Sequence, residues 1–128
     1  MSLTFVAPDA LRMPDEVTTR LRLDGAHISE SSDLAAAIEH ADVAYVTRIQ
    51  KERFADAAEY EALKGAYVIE RRMVEAGKPD LRILHPLPRV DEIARDVDAL
   101  PNAAYFRQAR NGVYVRMALL ALVLGAAE

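Results

Sequence analysis

The chain has no cysteine, which excludes a disulfide framework, a zinc ribbon and a thiol nucleophile, and suits a reducing cytoplasm. It has no basic excess either. Its 16 lysines and arginines stand against 20 acidic residues, for a net charge of −4, so no general cationic surface for nucleic acid or anionic lipid is expected. Long apolar runs are also absent. The most apolar stretch, residues 117–127, is about half of the ~20 residues that a bilayer span needs, and Arg116 flanks it. A buried helix is the expectation there, not a membrane segment. Met1-Ser2-Leu3-Thr4-Phe5 carries no basic region and meets Pro8-Asp9 too early for a signal peptide. Neither G-x-G-x-x-G, G-x-x-x-x-G-K-[ST] nor G-x-S-x-G occurs, and His27, His40 and His85 are scattered beyond metal-ligand spacing.

The 128 residues fit one domain, and a 52% hydrophobic share can build its core. Leu3-Thr4-Phe5-Val6-Ala7 is short, apolar and β-prone, and predicts a buried strand. Pro14 with Asp15 and Glu16 opens a helix whose inner face is Val17, Leu21 and Leu23, with Gly25 as its stop. A weak strand over 26–29 follows, then a helix over 34–40 capped by Ser32-Asp33. The clearest strand is 42–47. Helices are predicted over 56–64 and 68–76, a strand over 81–84, and an apolar helix over 111–124. Strands alternating with helices imply an α/β fold with a parallel sheet. In such sheets ligands bind beyond the carboxyl ends of the strands.

Two polar clusters fall at such ends. The first, Arg48-Ile49-Gln50-Lys51-Glu52-Arg53, has a planar guanidinium suited to bidentate capture of a carboxylate. A solvated surface loop fits the same residues. The second is His85-Pro86-Leu87-Pro88-Arg89. Its two prolines can neither continue a ladder nor start a regular helix, and they free the Pro86 and Leu87 carbonyls to face a ligand. A rigid turn without a ligand is the alternative. Arg116, inside the last helix, calls for an acidic partner.

Several strings together resemble the catalytic chain of the aspartate carbamoyltransferase family. They are Phe5-Val6-Ala7-Pro8-Asp9-Ala10-Leu11-Arg12-Met13-Pro14, residues 43–53, Leu84-His85-Pro86-Leu87-Pro88-Arg89-Val90-Asp91-Glu92-Ile93, and Tyr105-Phe106-Arg107-Gln108-Ala109-Arg110-Asn111-Gly112. The resemblance covers essentially the whole chain. It implies a three-layer lobe, a parallel sheet with helices on both faces, that binds L-aspartate for carbamoyl transfer from carbamoyl phosphate in pyrimidine synthesis. It implies no metal or organic cofactor. It also implies the site roles: Arg48 on an aspartate carboxylate with Gln50 assisting, and the Pro86 and Leu87 carbonyls on the carbamoyl and amino nitrogens. The Leu87–Pro88 bond is expected to be cis. Lys51, Glu52, Arg53, Glu59 and Tyr60 would belong to a mobile loop. His85, Pro88, Arg89 and Asp91 would support the turn, and Arg116 would be a structural or lobe-contact arginine.

The family's carbamoyl phosphate domain should bring Ser-Thr-Arg-Thr-Arg and His-Pro-Thr-Gln strings, and neither occurs here. Residues 1–128 therefore read as a partial L-aspartate-binding domain, with the carbamoyl phosphate-binding domain absent. The lobe's first, central strand and a further substrate arginine are expected to be lacking too, which leaves a slot between strands 3–7 and 43–47. On this reading the chain alone is inactive, and its partner is the missing N-terminal lobe or a second copy. A clipped or split enzyme, a truncated product and a free-standing module all remain open. The alternative function is a non-catalytic amino-acid-binding or assembly module on the same scaffold.

Overall fold

The structure, a computed structural model, describes residues 1–49, 54, 57–63 and 65–126. Strand β1 (Ser2–Val6) leads through a 3-10 turn (Asp9–Leu11) to helix α1 (Asp15–Leu23), strand β2 (His27–Ser31), helix α2 (Leu34–His40) and strand β3 (Val43–Tyr45). Helices α3 (Ala57–Leu63) and α4 (Arg71–Ala76) precede strand β4 (Arg82–Leu84). A second 3-10 turn (Arg95–Ala99) and the long helix α5 (Tyr105–Val123) follow.

All strand pairing among the described residues is parallel. β1 lies against β2 with Leu3 opposite Ile28, and β3 lies against β4 with Ala44 opposite Ile83. The two pairs form separate two-stranded sheets, which fits the slot expected between strands 3–7 and 43–47. Among the described residues β3 pairs on one side only, and its Val43 and Tyr45 side chains are 56% and 60% exposed. β4 is held on both sides. Beyond its pairing with β3, Ile83 N–H donates to the Asn102 carbonyl at 2.9 Å and Ala104 N–H donates to the Ile83 carbonyl at 3.0 Å. The core collects around β4: Ile38, Ile69, Val74, Leu81, Ile83, Ile93, Val97 and Tyr105.

Local chemistry explains the element boundaries. Asp33 accepts from Ala36 N–H at 3.0 Å and so caps α2. Gly25 closes the stretch after α1 at φ 84, a left-handed value that glycine adopts without a Cβ clash.

Three expectations need correction. Along α1 the buried side chain is Thr18, while Val17 and Leu23 are exposed, since only a narrow stripe of this helix meets β2. β1 is half-buried, not buried: Leu3 and Phe5 point one way and the exposed Thr4 the other, where its hydroxyl meets that of Ser29 at 2.8 Å. α5 begins at Tyr105, six residues before its expected start, and it is not a buried helix. Its buried residue is Tyr105, and Val113, Val115, Leu120, Leu122 and Val123 are exposed. The apolar side chains of 113–124 surround the helix, and the core contacts of α5 lie at its start, at Tyr105 and Gln108. None of the described helices is long and apolar enough to cross a membrane.

Candidate functional site at the β3 and β4 rim

The β3–β4 ladder sets the site. Tyr45 pairs with Leu84, and Val46 N–H donates to the Leu84 carbonyl at 2.9 Å. The two polar clusters therefore leave the carboxyl ends of adjacent parallel strands, just beyond that last rung in each case. Arg48 is exposed at this rim. Gln50, Lys51, Glu52 and Arg53 lie outside the described residues. Glu59 and Tyr60 sit on α3, and nothing of the Glu59 side chain is described. The Tyr60 ring packs edge-on against Phe54, with centroids 5.8 Å apart. Ile49, Tyr60, Tyr67, Val68, Asp91 and Glu92 line a shallow hollow, so the segments after β3 and β4 do face each other.

The turn after β4 is organised around His85, which is buried. Pro86 and Pro88 carry no N–H, and the His85 and Leu87 donors are tied down by side chains. His85 N–H donates to Gln108 Oε1 on α5 at 2.9 Å, and Leu87 N–H donates to His85 Nδ1 at 2.8 Å. Because Nδ1 accepts, the ring proton sits on Nε2, which donates to Glu92 Oε1 at 2.6 Å. Glu92 Oε2 in turn accepts from Val90 N–H and Asp91 N–H at 3.1 and 3.0 Å. Burial pushes the Glu92 carboxyl up, but hydrogen bonds from its own backbone, from Val90, His85 and Asp91 outweigh that and hold it below the usual carboxylate range. The Leu87–Pro88 bond is cis, as expected, and Leu87 has φ 51. That left-handed value costs a branched side chain on the order of 1–3 kcal/mol, so the surroundings must impose it. Neither the Pro86 nor the Leu87 carbonyl accepts a hydrogen bond among the described residues.

Arg89 anchors the far end of the turn. Its guanidinium grips both Asp98 oxygens, Nη2 reaching Oδ2 at 2.5 Å, and Nη1 also donates to the Tyr105 hydroxyl at 3.2 Å. The Tyr105 hydroxyl donates to Asp98 Oδ1. The Arg89 hydrogen bond holds the Asp98 carboxyl below its ordinary range, and the same contact raises the Arg89 guanidinium. Burial, then the bond to Asp98, pushes the Tyr105 hydroxyl up to about 12. A phenol raised in this way contributes stability that is complete below its unfolded value of about 10 and is lost as pH rises through about 12. An ultraviolet titration should therefore show a tyrosine that ionises only as the pH reaches about 12. Asp98→Ala should return that one toward the ordinary value.

The structure brings His85, Pro86, Leu87, Pro88, Arg89 and Asp91, all expected at the site, into one turn. Glu92, Gln108 and the Asp98–Tyr105 pair, which hold the turn, were not expected there. Glu92, Tyr105 and Gln108 lie in the strings that carry the family resemblance, and only Asp98 lies outside them. Arg116 departs from expectation. It is exposed, and among the described residues no carboxylate pairs with it, because α5 has left the core by that point.

Residues 1–123 match the family model of the aspartate/ornithine carbamoyltransferase Asp/Orn binding domain. The chain belongs to this carbamoyltransferase family. It is 52% identical over 120 residues to the aspartate carbamoyltransferase catalytic subunit of Vibrio campbellii, a match covering 94% of this chain and 38% of that one. It is 53% identical over 122 residues to the subunit of Methanopyrus kandleri, covering 94% and 40%. Among carbamoyltransferase structures, the catalytic subunit of M. jannaschii aspartate transcarbamoylase superposes with a TM-score of 0.86 at 45% identity, over 98% of this chain and 42% of that one. The Trypanosoma cruzi enzyme in complex with carbamoyl phosphate and aspartate superposes with a TM-score of 0.81 at 40% identity, over 93% and 40%. The chain thus spans about two fifths of the length of the curated relatives it matches.

Proposed function

We propose that this chain is the aspartate-binding lobe of an aspartate carbamoyltransferase, which works with a carbamoyl phosphate-binding lobe in the cytoplasm. The reaction joins the carbamoyl carbon of carbamoyl phosphate to the amino nitrogen of L-aspartate. The carbon–oxygen bond to phosphate breaks, the amine loses a proton, and N-carbamoyl-L-aspartate and phosphate leave, as at the start of pyrimidine synthesis. The observation that carries the reading is the His85–Arg89 turn, whose Pro86 and Leu87 carbonyls accept no hydrogen bond among the described residues and which follows the strand paired with the one before Arg48, in a chain half identical to aspartate carbamoyltransferase subunits.

In this reading Arg48, with Gln50, takes an aspartate carboxylate, since a guanidinium matches a carboxylate fork. The Pro86 and Leu87 carbonyls take N–H groups of the amine and the carbamoyl. As the amine attacks, its nitrogen gains positive charge and its N–H groups become stronger donors. Fixed carbonyls therefore stabilise the transition state more than the ground state. The rest of the rate comes from holding amine and carbonyl carbon in line. The Lys51–Arg53 and Glu59–Tyr60 segments would close over the bound pair.

Exposed apolar residues on α5 and the open edge of β3 favour a second reading, a non-catalytic assembly module. Mixing the chain with a carbamoyl phosphate-binding lobe from the M. jannaschii relative separates the two. We expect no carbamoyl-aspartate from either piece alone and turnover from the mixture. A mixture shown by light scattering to be associated, with both pieces folded but no turnover, rejects the lobe reading in favour of the module.

A further inference from the structure

We propose that His85 is a positioning residue: as the Nε2–H tautomer locked by Glu92, it holds Leu87 at its left-handed φ and thereby aims the paired carbonyls. The ligand those carbonyls would serve, an N–H donor such as an amine or a carbamoyl, rests on the function proposed above, whereas the geometry does not. The steps are each on one atom. Glu92 is fixed as an acceptor by two backbone N–H groups at 3.1 and 3.0 Å, so its Oε1 can only accept from the ring. The ring must then present a proton at Nε2 and a lone pair at Nδ1. That lone pair captures Leu87 N–H at 2.8 Å, the one backbone donor between the two prolines. Leu87 is the one non-glycine residue with positive φ among those described. With its N–H pinned in this way, rotation of the Pro86–Leu87 peptide is blocked, and so is rotation of the Pro86 carbonyl that shares it. The opposite tautomer would set Nδ1–H against Leu87 N–H and leave Nε2 facing a carboxylate with no proton between them.

Two near-isosteres split the roles. With His85→Asn, the new side-chain oxygen falls where Nδ1 was, and an asparagine oxygen readily accepts from the N–H two residues on. With His85→Gln, the new amide reaches the position of Nε2 and Glu92 but supplies no acceptor to Leu87. The test uses the 128-residue chain labelled with nitrogen-15. In the wild type, the His85 ring should show a protonated Nε2 and a bare Nδ1, and the Leu87 amide should exchange slowly with solvent. His85→Gln should speed Leu87 exchange by about tenfold or more, while His85→Asn should change it by no more than about threefold. A merely space-filling histidine predicts equal effects from the two, and that result overturns the proposal. So does a wild-type ring protonated on Nδ1, a measurement that needs no variant to fold. Glu92→Gln should flip the tautomer or release Leu87, and an unchanged ring and amide there would also overturn it. In the mixture with the carbamoyl phosphate lobe, His85→Gln should lower kcat more than His85→Asn does. Silence of the wild-type mixture would count against the proposed function, and the nitrogen-15 result would still decide the role of His85.

Discussion

Ile83→Ala is expected to remove about 3–5 kcal/mol of stability from the 128-residue chain. Ile83 is 0% exposed, in the middle of β4, and β4 is the strand held on both sides, by Ala44 on one and by the Asn102–Ala104 backbone on the other. Three deleted carbons would leave a cavity among Ile69, Leu81, Ile93 and Val97 that a strand tied on both edges cannot collapse to fill. A domain of this size has about 5–15 kcal/mol in total, so the variant should lie near its unfolding threshold. Urea unfolding followed by circular dichroism measures this, as a lower midpoint with an unchanged slope. Leu122→Ala supplies the contrast. Leu122 is 58% exposed on α5, and its loss should fall within about 0.5 kcal/mol. Equal losses would place α5 in the core and contradict the burial pattern.

That contrast marks where sequence reading succeeds and where it stops. Helix α2 was legible to the residue, because Asp33 supplies a local cap and Gly-free, alanine-rich sequence follows it. The turn after β4 was legible because two prolines one residue apart forbid any regular structure, whatever surrounds them. The split between β1–β2 and β3–β4 fits the slot that the resemblance implied in one parallel sheet, although two separate sheets were not expected. The failures lie in what one element places against another. Leu120 and Leu122 carry the same composition signal as Ile83 and Leu81, yet one pair is exposed and the other buried. Hydrophobicity states a preference for burial and not what is available to cover the side chain. Gln108 reaches His85 across 23 positions and Asp98 reaches Arg89 across nine, and neither spacing carries a local signature. The Arg95–Ala99 turn was missed because it lacks the glycine or proline that marks such turns.

Arg48→Ala in the mixture with the carbamoyl phosphate lobe should cut kcat/KM for L-aspartate by about thirtyfold or more, since truncating one member of a desolvated charge pair costs roughly 2–5 kcal/mol. The affinity for carbamoyl phosphate should stay within about twofold, because on the proposed reading its phosphate is held by the other lobe and not by the β3 rim. Arg48→Lys gives the sharper comparison. It keeps the positive charge but replaces the planar fork with a point charge, so it should recover only part of the loss if the contact is bidentate. Full recovery would mean that Arg48 contributes charge alone. Equal losses for both substrates in Arg48→Ala would reject the assigned role altogether, because a residue that merely holds the rim in shape supports the carbonyl turn as much as it supports aspartate. The two strands make that distinction measurable. Arg48 follows β3 and the carbonyls follow β4, joined by the Val46–Leu84 hydrogen bond. A change confined to the β3 side should therefore spare the Leu87 amide protection that reports on the β4 side, and that protection checks the aspartate-specific loss in the same variant.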